Sequence, residues 1–161
     1  MRRIGHYTAF FGADDVLSNW HPCRFTYRGV TFSCVEQFMM YAKAKLFGDE
    51  SAAAEILAAS DPRTQKRLGR EVAGFTEATW VARRESIVYV GCREKFSQNA
   101  DLRAALLATA PTVLIEASPY DRIWGVGLGV SSPHIVNESS WRGLNLLGIA
   151  LMKVRDTLTT S

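Results

Sequence analysis

Cysteine is scarce in this 161-residue chain: Cys23, Cys34 and Cys92 are its only three, and they stand far apart. They form no CxxC pair and have no histidine at metal-ligand spacing, so neither a disulfide framework nor a zinc site is expected. Each reads instead as a small buried apolar residue. His6, His21 and His134 are equally scattered, and the expected protein uses no metal and no cofactor. Long hydrophobic runs are missing too. Stretches such as "IVYVG" are broken by charge within a turn, far short of the ~20 residues a membrane helix needs. The opening "MRRIGHYTAFFG" places two arginines before a segment too short and too aromatic for a signal-peptide core, with no small-residue cleavage site after it. A cytoplasmic protein without a membrane partner is the expectation.

Charge of one sign is also lacking. Nineteen basic against sixteen acidic residues leave a formal charge of +3, compatible with an anionic ligand but too mild to argue for duplex DNA. Basic residues concentrate at "PRTQKRLGR" (62–70) and "WVARRES" (80–86), which charge alone reads as solvated helix surface. No GxSxG, P-loop, HExxH, Cys/His pair or ordered Ser/His/Asp set occurs, which disfavours the routine hydrolase and phosphotransferase chemistries.

What is present is an ordinary globular composition, 47% apolar and 22% charged, long enough for one domain over 1–161 with a real core. "HYTAFF" (6–11) reads as a strand, and "CRFTYRGVTF" (23–32) as a hairpin turning at Arg28-Gly29. Ser33 with Glu36 three residues later has the spacing of a capping box. Val35, Phe38, Met39, Ala42 and Leu46 then recur at helical intervals until Gly48 stops them. Further helices are expected over 49–59, after Asp61-Pro62, over 77–97, over 100–110 behind Asn99, and over 144–158. "TVLIEAS" (112–118) has the brief β-branched run of a buried strand, followed by a glycine-containing loop over 120–142. Many helices around a few short strands define an α+β, mainly α-helical class.

Three segments stand out for chemistry. Glu36 and Lys43, seven positions apart, share nearly one helix azimuth about 10 Å apart along the axis, with Met40 between them and Phe47 beyond. A lysine bordered by Met and Phe loses solvation, which lowers its pKa and frees the amine for attack. The plainer account is a capping glutamate and a snorkelling lysine. In "EASPYDRIWGVGLG" (116–129), Gly125, Gly127 and Gly129 allow close backbone approach, while Asp121 and Trp124 offer a carboxylate and a stacking surface. A dinucleotide-binding turn is excluded because no helix follows directly; a structural turn with Asp121 as an Asx residue is the alternative. "LSNW" (17–20) sets Ser18, Asn19 and Trp20 between two strands, to hold a ligand or to order their own loop. Arg70 has the geometry to hold a phosphate bidentately. Trp80 serves either core or base stacking. Trp141 and Asn145 flank the start of the last helix, where backbone N–H groups favour anions.

The order of "FFGADDVLSNW", "VEQFMMYAKAKLF", "LGREV", "LRAALLATAPTVLIEAS", "DRIWGVGLG" and "NLLGIALMKVR" resembles the NADAR family, also called YbiA-like proteins, over nearly the whole chain. The resemblance implies a mainly helical α+β domain with N-glycosidase activity. The implied substrates are an ADP-ribosylated base, free or presented on DNA or RNA, or a phosphoribosylamino-pyrimidine intermediate of riboflavin synthesis. By position, the family's helix glutamate and lysine fall on Glu36 and Lys43, its Asp and Trp before the glycines on Asp121 and Trp124, its polar pair on Ser18-Asn19, and its terminal Asn-x-Leu-Gly on 145–148. "VSSPHIVNESSWRG" (130–143) looks longer than in compact members and is placed to reshape the substrate mouth.

Breaking a ribosyl C–N bond builds positive charge on the sugar, which a carboxylate stabilises. Glu36 and Asp121 are the candidate carboxylates and Lys43 the candidate nucleophile or electrostatic partner, with direct water attack as the competing scheme. Trp124 is then placed to stack on the base, with Asn19, Arg70 and the loop amides on ribose and phosphate. A non-catalytic ADP-ribose-binding module and a generic basic nucleic-acid binder are the other two readings.

Overall fold

The computed structural model describes residues 1–161. Along the chain run strands β1 (Arg2–Ile4), β2 (Tyr7–Phe10), β3 (Phe25–Tyr27) and β4 (Val30–Phe32). Helices α1 (Val35–Leu46), α2 (Glu50–Ala58), α3 (Pro62–Arg70), α4 (Glu77–Gln98) and α5 (Ala100–Leu107) follow. Strand β5 (Val113–Glu116) and helix α6 (Leu146–Thr159) complete the set. This is the mainly helical α+β class expected. No helix is long and apolar enough to cross a membrane. The chain divides into two units, one formed by residues 22–99 and the other by 1–21 with 100–161.

In the 22–99 unit the β3–β4 hairpin turns where expected, with Arg28 at φ 49° and Gly29 at φ 80°, the left-handed pair that a two-residue hairpin demands. Phe25 and Phe32 pair across it and stack with ring centroids 5.5 Å apart. Phe38 of α1 closes on both, 5.8 Å from Phe25 and 5.1 Å from Phe32. Helix α4 lies against α1 at Gly91, where a Cβ would meet the Phe38 ring at 2.7 Å. Of the apolar stripe expected along α4 (Trp80, Ile87, Val88, Gly91, Cys92, Phe96), all are buried except Ile87, which is half-buried.

The start of α1 differs from expectation. Cys34, not Ser33, is the N-cap, its Sγ accepting from the Gln37 N–H at 3.4 Å. Gln37, not Glu36, answers it, accepting from the Ser33 N–H at 2.8 Å and the Ser33 hydroxyl at 3.1 Å. The box has slipped by one residue because Gln37 also donates to the Ile56 carbonyl at the end of α2, at 3.1 Å. A buried amide that satisfies both ends outcompetes a cap alone. Glu36 is thereby released from capping while staying buried in the first turn.

In the other unit, β2 is the centre of a three-stranded sheet, antiparallel to β1 and parallel to β5. The sequence reading missed β1. Ala9, Ile115, Ala117, Val126 and Ile135 form its apolar core. The 130–143 segment is part of that core. Ile135 is buried, and the Trp141 indole donates to the Ile135 carbonyl at 2.8 Å.

Candidate active site

Within the 22–99 unit, Lys43 leaves α1 half-buried between two aromatic rings. Its Nζ lies 4.7 Å from the Phe75 centroid and 5.4 Å from the Trp80 centroid, within cation–π reach of both. Burial pushes its pKa below the ordinary lysine value; Glu36 and Glu77 pull it back up, and Arg70 lowers it further. Three charged groups, one from each of three helices, thus converge electrostatically on one amine. Of the residues gathered here, the sequence reading named Glu36, Lys43, Arg70 and Trp80 but missed Phe75 and Glu77.

Local structure explains the convergence. A Cβ at Gly69 would collide with the Met40 thioether; its absence lets α3 approach α1 on the line joining Glu36 to Lys43, and Arg70 follows directly. The turn after α3 is tied down by Asp49, which accepts from Ala52 at 3.0 Å as the cap of α2 and from Ala73 at 2.8 Å. Those backbone donors hold the Asp49 carboxyl below the usual carboxylate range. Gly74 at φ 78° then turns the chain, and Phe75 packs edge-on against Phe47 at 5.4 Å. Phe75 and Trp80 occupy the positions before and four after the α4 N-cap Thr76, the spacing of a hydrophobic staple. That spacing was the available signal for Phe75. Trp80 is 9% exposed and Phe75 40%, so one ring is a wall and the other borders solvent. Cys34, nearby in the same first turn as Glu36, has its thiol pushed up to about 11, chiefly by burial. It is inert as a nucleophile at neutral pH.

The other expected residues lie in the 1–21/100–161 unit. Asp121 Oδ1 accepts from the Ile123 and Trp124 N–H groups at 2.9 and 2.8 Å, the Asx turn that was one of its two readings. Ser118 Oγ supports the same turn by accepting from Asp121 N–H at 3.0 Å. Gly125 is packed so that a Cβ would sit 2.9 Å from the Asp121 carbonyl, and Gly127 adopts φ 73°. Both glycines are therefore required by the turn itself. Trp124 is half-buried. Ser18 and Asn19 are buried and Trp20 half-buried in a run of turns, where the Trp20 N–H donates to Ser18 Oγ at 3.1 Å.

At the start of the last helix the polar groups are engaged within the fold. Asn145 spends its amide on β5, accepting from Glu116 N–H at 3.1 Å and donating to the Leu114 carbonyl at 2.9 Å. It is buried, and both ends of its amide are engaged within the fold. The first N–H groups of α6 are also taken: Leu146 and Leu147 donate to the Ile123 and Trp124 carbonyls, each at 3.1 Å. An anion has no claim on them.

A half-buried amine thus sits in an aromatic notch with a buried carboxylate acting on it. The NADAR domain model matches residues 9–159, and the chain belongs to the NADAR domain family. It is 38% identical to protein irg-1 of Caenorhabditis elegans, over 96% of this chain and 80% of that protein. It is 40% identical to N-glycosidase R617 of Acanthamoeba polyphaga mimivirus, over 93% of this chain and 95% of the relative. The solution structure of Escherichia coli YbiA superposes with a TM-score of 0.78 at 31% identity, over 96% of this chain and 85% of YbiA. The curated E. coli protein bears the name N-glycosidase YbiA.

Proposed function

We propose that this chain is an N-glycosidase that hydrolyses the C–N bond between a ribose anomeric carbon and a base, with Glu36 and Lys43 carrying the chemistry. The observation that carries the reading is the Lys43 amine, lowered in pKa by burial and held between Phe75 and Trp80 beside Glu36. Kinship to two proteins named N-glycosidases supports the reaction class. A phosphoribosylated or ADP-ribosylated base is the substrate class. Arg70, exposed at the end of α3, is assigned to its phosphate.

In the scheme we favour, the free Lys43 amine attacks the anomeric carbon as the C–N bond to the base breaks. Glu36 delivers a proton to the departing nitrogen. The sugar opens to an iminium on Lys43, and water activated by Glu36 releases it, regenerating the amine. The buried position of Glu36 strengthens its effect on the developing cationic sugar. Asp121 is assigned to its turn and not to catalysis. The three free cysteines suit a reducing compartment such as the cytoplasm.

A panel of N-ribosyl compounds followed by mass spectrometry tests the reading. Release of the free base, abolished in Lys43→Met, supports it. Tight binding of ADP-ribose with no base released from any compound would make the chain a binding module. Borohydride added during turnover separates the two chemical routes: a sugar adduct on Lys43 marks the amine route, and unmodified protein marks direct attack by water.

A further inference from the structure

Helix α1 has a second working side. Phe38, Tyr41 and Lys45 lie roughly opposite the Glu36–Lys43 line at 100° per residue. They form one wall of a groove of about 520 Å³, closed by the β3–β4 hairpin and by Arg83 to Val90 of α4. All of it belongs to the 22–99 unit.

The floor is aromatic. Phe32 meets Phe38 at 5.1 Å and Tyr41 at 5.4 Å, and Tyr27 meets Phe38 at 5.6 Å, each edge to face. The tyrosines are half-buried, presenting apolar rings with polar tips. The rim is cationic. Arg28 sits over Tyr27 with its guanidinium carbon 5.2 Å from the centroid, and both Arg28 and Arg83 are exposed. Lys45 is neutralised by Glu50 at 2.8 Å, while no Asp or Glu lines the groove.

We infer that this groove is a second binding site, distinct from the Lys43 notch, for a nucleotide: the base lies on Tyr27 and Tyr41 and the phosphate is held by Arg28 and Arg83. A flat ring satisfies the aromatic floor by stacking, and a phosphate satisfies the two arginines as forked donors. A neutral apolar ligand would leave the cations idle, and an inorganic anion would leave the floor idle. The volume falls in the size class of small-ligand sites. This assignment does not depend on the reaction proposed for Lys43.

The test is amide-resolved NMR titration of the full chain with AMP, alongside adenosine, ribose 5-phosphate and a short oligothymidylate. AMP is expected to shift the amides of Tyr27, Tyr41 and Val90 saturably, with adenosine and ribose 5-phosphate each weaker by about tenfold or more. The double variant R28E/R83E, altered only at exposed positions, should weaken AMP by a similar factor and leave base release from an N-ribosyl substrate unchanged. In Lys43→Met the groove shifts should persist. Oligothymidylate tighter than AMP at the same amides identifies a nucleic-acid strand as the source of the nucleotide; equal or weaker binding identifies the free nucleotide. No saturable shift at those amides, shifts confined to Phe75 and Glu77, an unchanged affinity in R28E/R83E, or a second copy of the chain filling the groove would each overturn the inference.

Discussion

The Met40 thioether occupies the space that a side chain at Gly69 would need, so the spacing of α1 and α3 is set by one missing Cβ. Gly69→Ala is therefore expected to destabilise the protein by about 1–3 kcal/mol through overpacking, despite the better helix propensity of alanine. Because Met40 and Gly69 adjoin the Lys43 and Arg70 positions, base release should also slow. Thermal denaturation with parallel assays checks this. A melting temperature equal to that of the parent would show that Met40 repacks freely and would remove the argument.

Removing either member of the proposed Glu36–Lys43 pair should disable turnover without unfolding the chain. Glu36→Gln keeps the shape and hydrogen-bonding capacity of a buried group and should reduce kcat by about 10²- to 10⁴-fold, the usual worth of a positioned proton carrier. Lys43→Met keeps the stem between the rings and should lose as much or more. Circular dichroism establishes that the fold is intact. Near-parental turnover in either variant would assign the chemistry elsewhere.

The charges around Lys43 predict the direction of its pH dependence. Burial lowers its pKa and Glu77 raises it, so Glu77→Gln should move the alkaline-rising limb of activity to lower pH. Arg70 lowers it, so Arg70→Gln should move the limb to higher pH. In the stability curve the depressed pKa means that charged Lys43 costs stability below its folded pKa. That cost fades as pH rises through the window up to 10.5, the value it has when unfolded. Profiles of kcat against pH for the two variants provide the check, and shifts of the same sign would contradict the arrangement.

Asn145 offers a contrast between structure and chemistry. Asn145→Ala deletes two hydrogen bonds to β5 and orphans buried backbone groups, at a cost of about 1–3 kcal/mol for each group left unsatisfied. Melting temperature should fall while the pH profile of turnover keeps its position. A displaced profile at unchanged stability would return Asn145 to the substrate.

Much of this was legible in the sequence for identifiable reasons. The hairpin at Arg28-Gly29, the Asp61-Pro62 helix start and the stripe of α4 follow from local rules, and the structure obeys them. The spacing of Glu36 and Lys43 gave their shared side of α1 from helical period alone. What escaped were features settled by distant partners. Gln37 takes over the cap of α1 because the end of α2 offers it a carbonyl, and Asn145 turns inward because β5 does. Strand β1 is three residues long and depends on pairing with β2. Phe75 lies just outside α4, before its N-cap Thr76, where helical periodicity does not mark it.

The hydroxyls of Thr8 and Thr112 touch at 2.6 Å although 104 positions separate them, and β2 and β5 are joined in parallel across a similar length of chain. Such pairing carries a heavy loop-closure penalty and forms late. On a ribosome, the hairpin and first four helices have emerged before β2 can meet its second neighbour. A transcript truncated shortly after residue 99 would therefore encode the lysine and its aromatic notch, but leave β2 as an open sheet edge prone to aggregation.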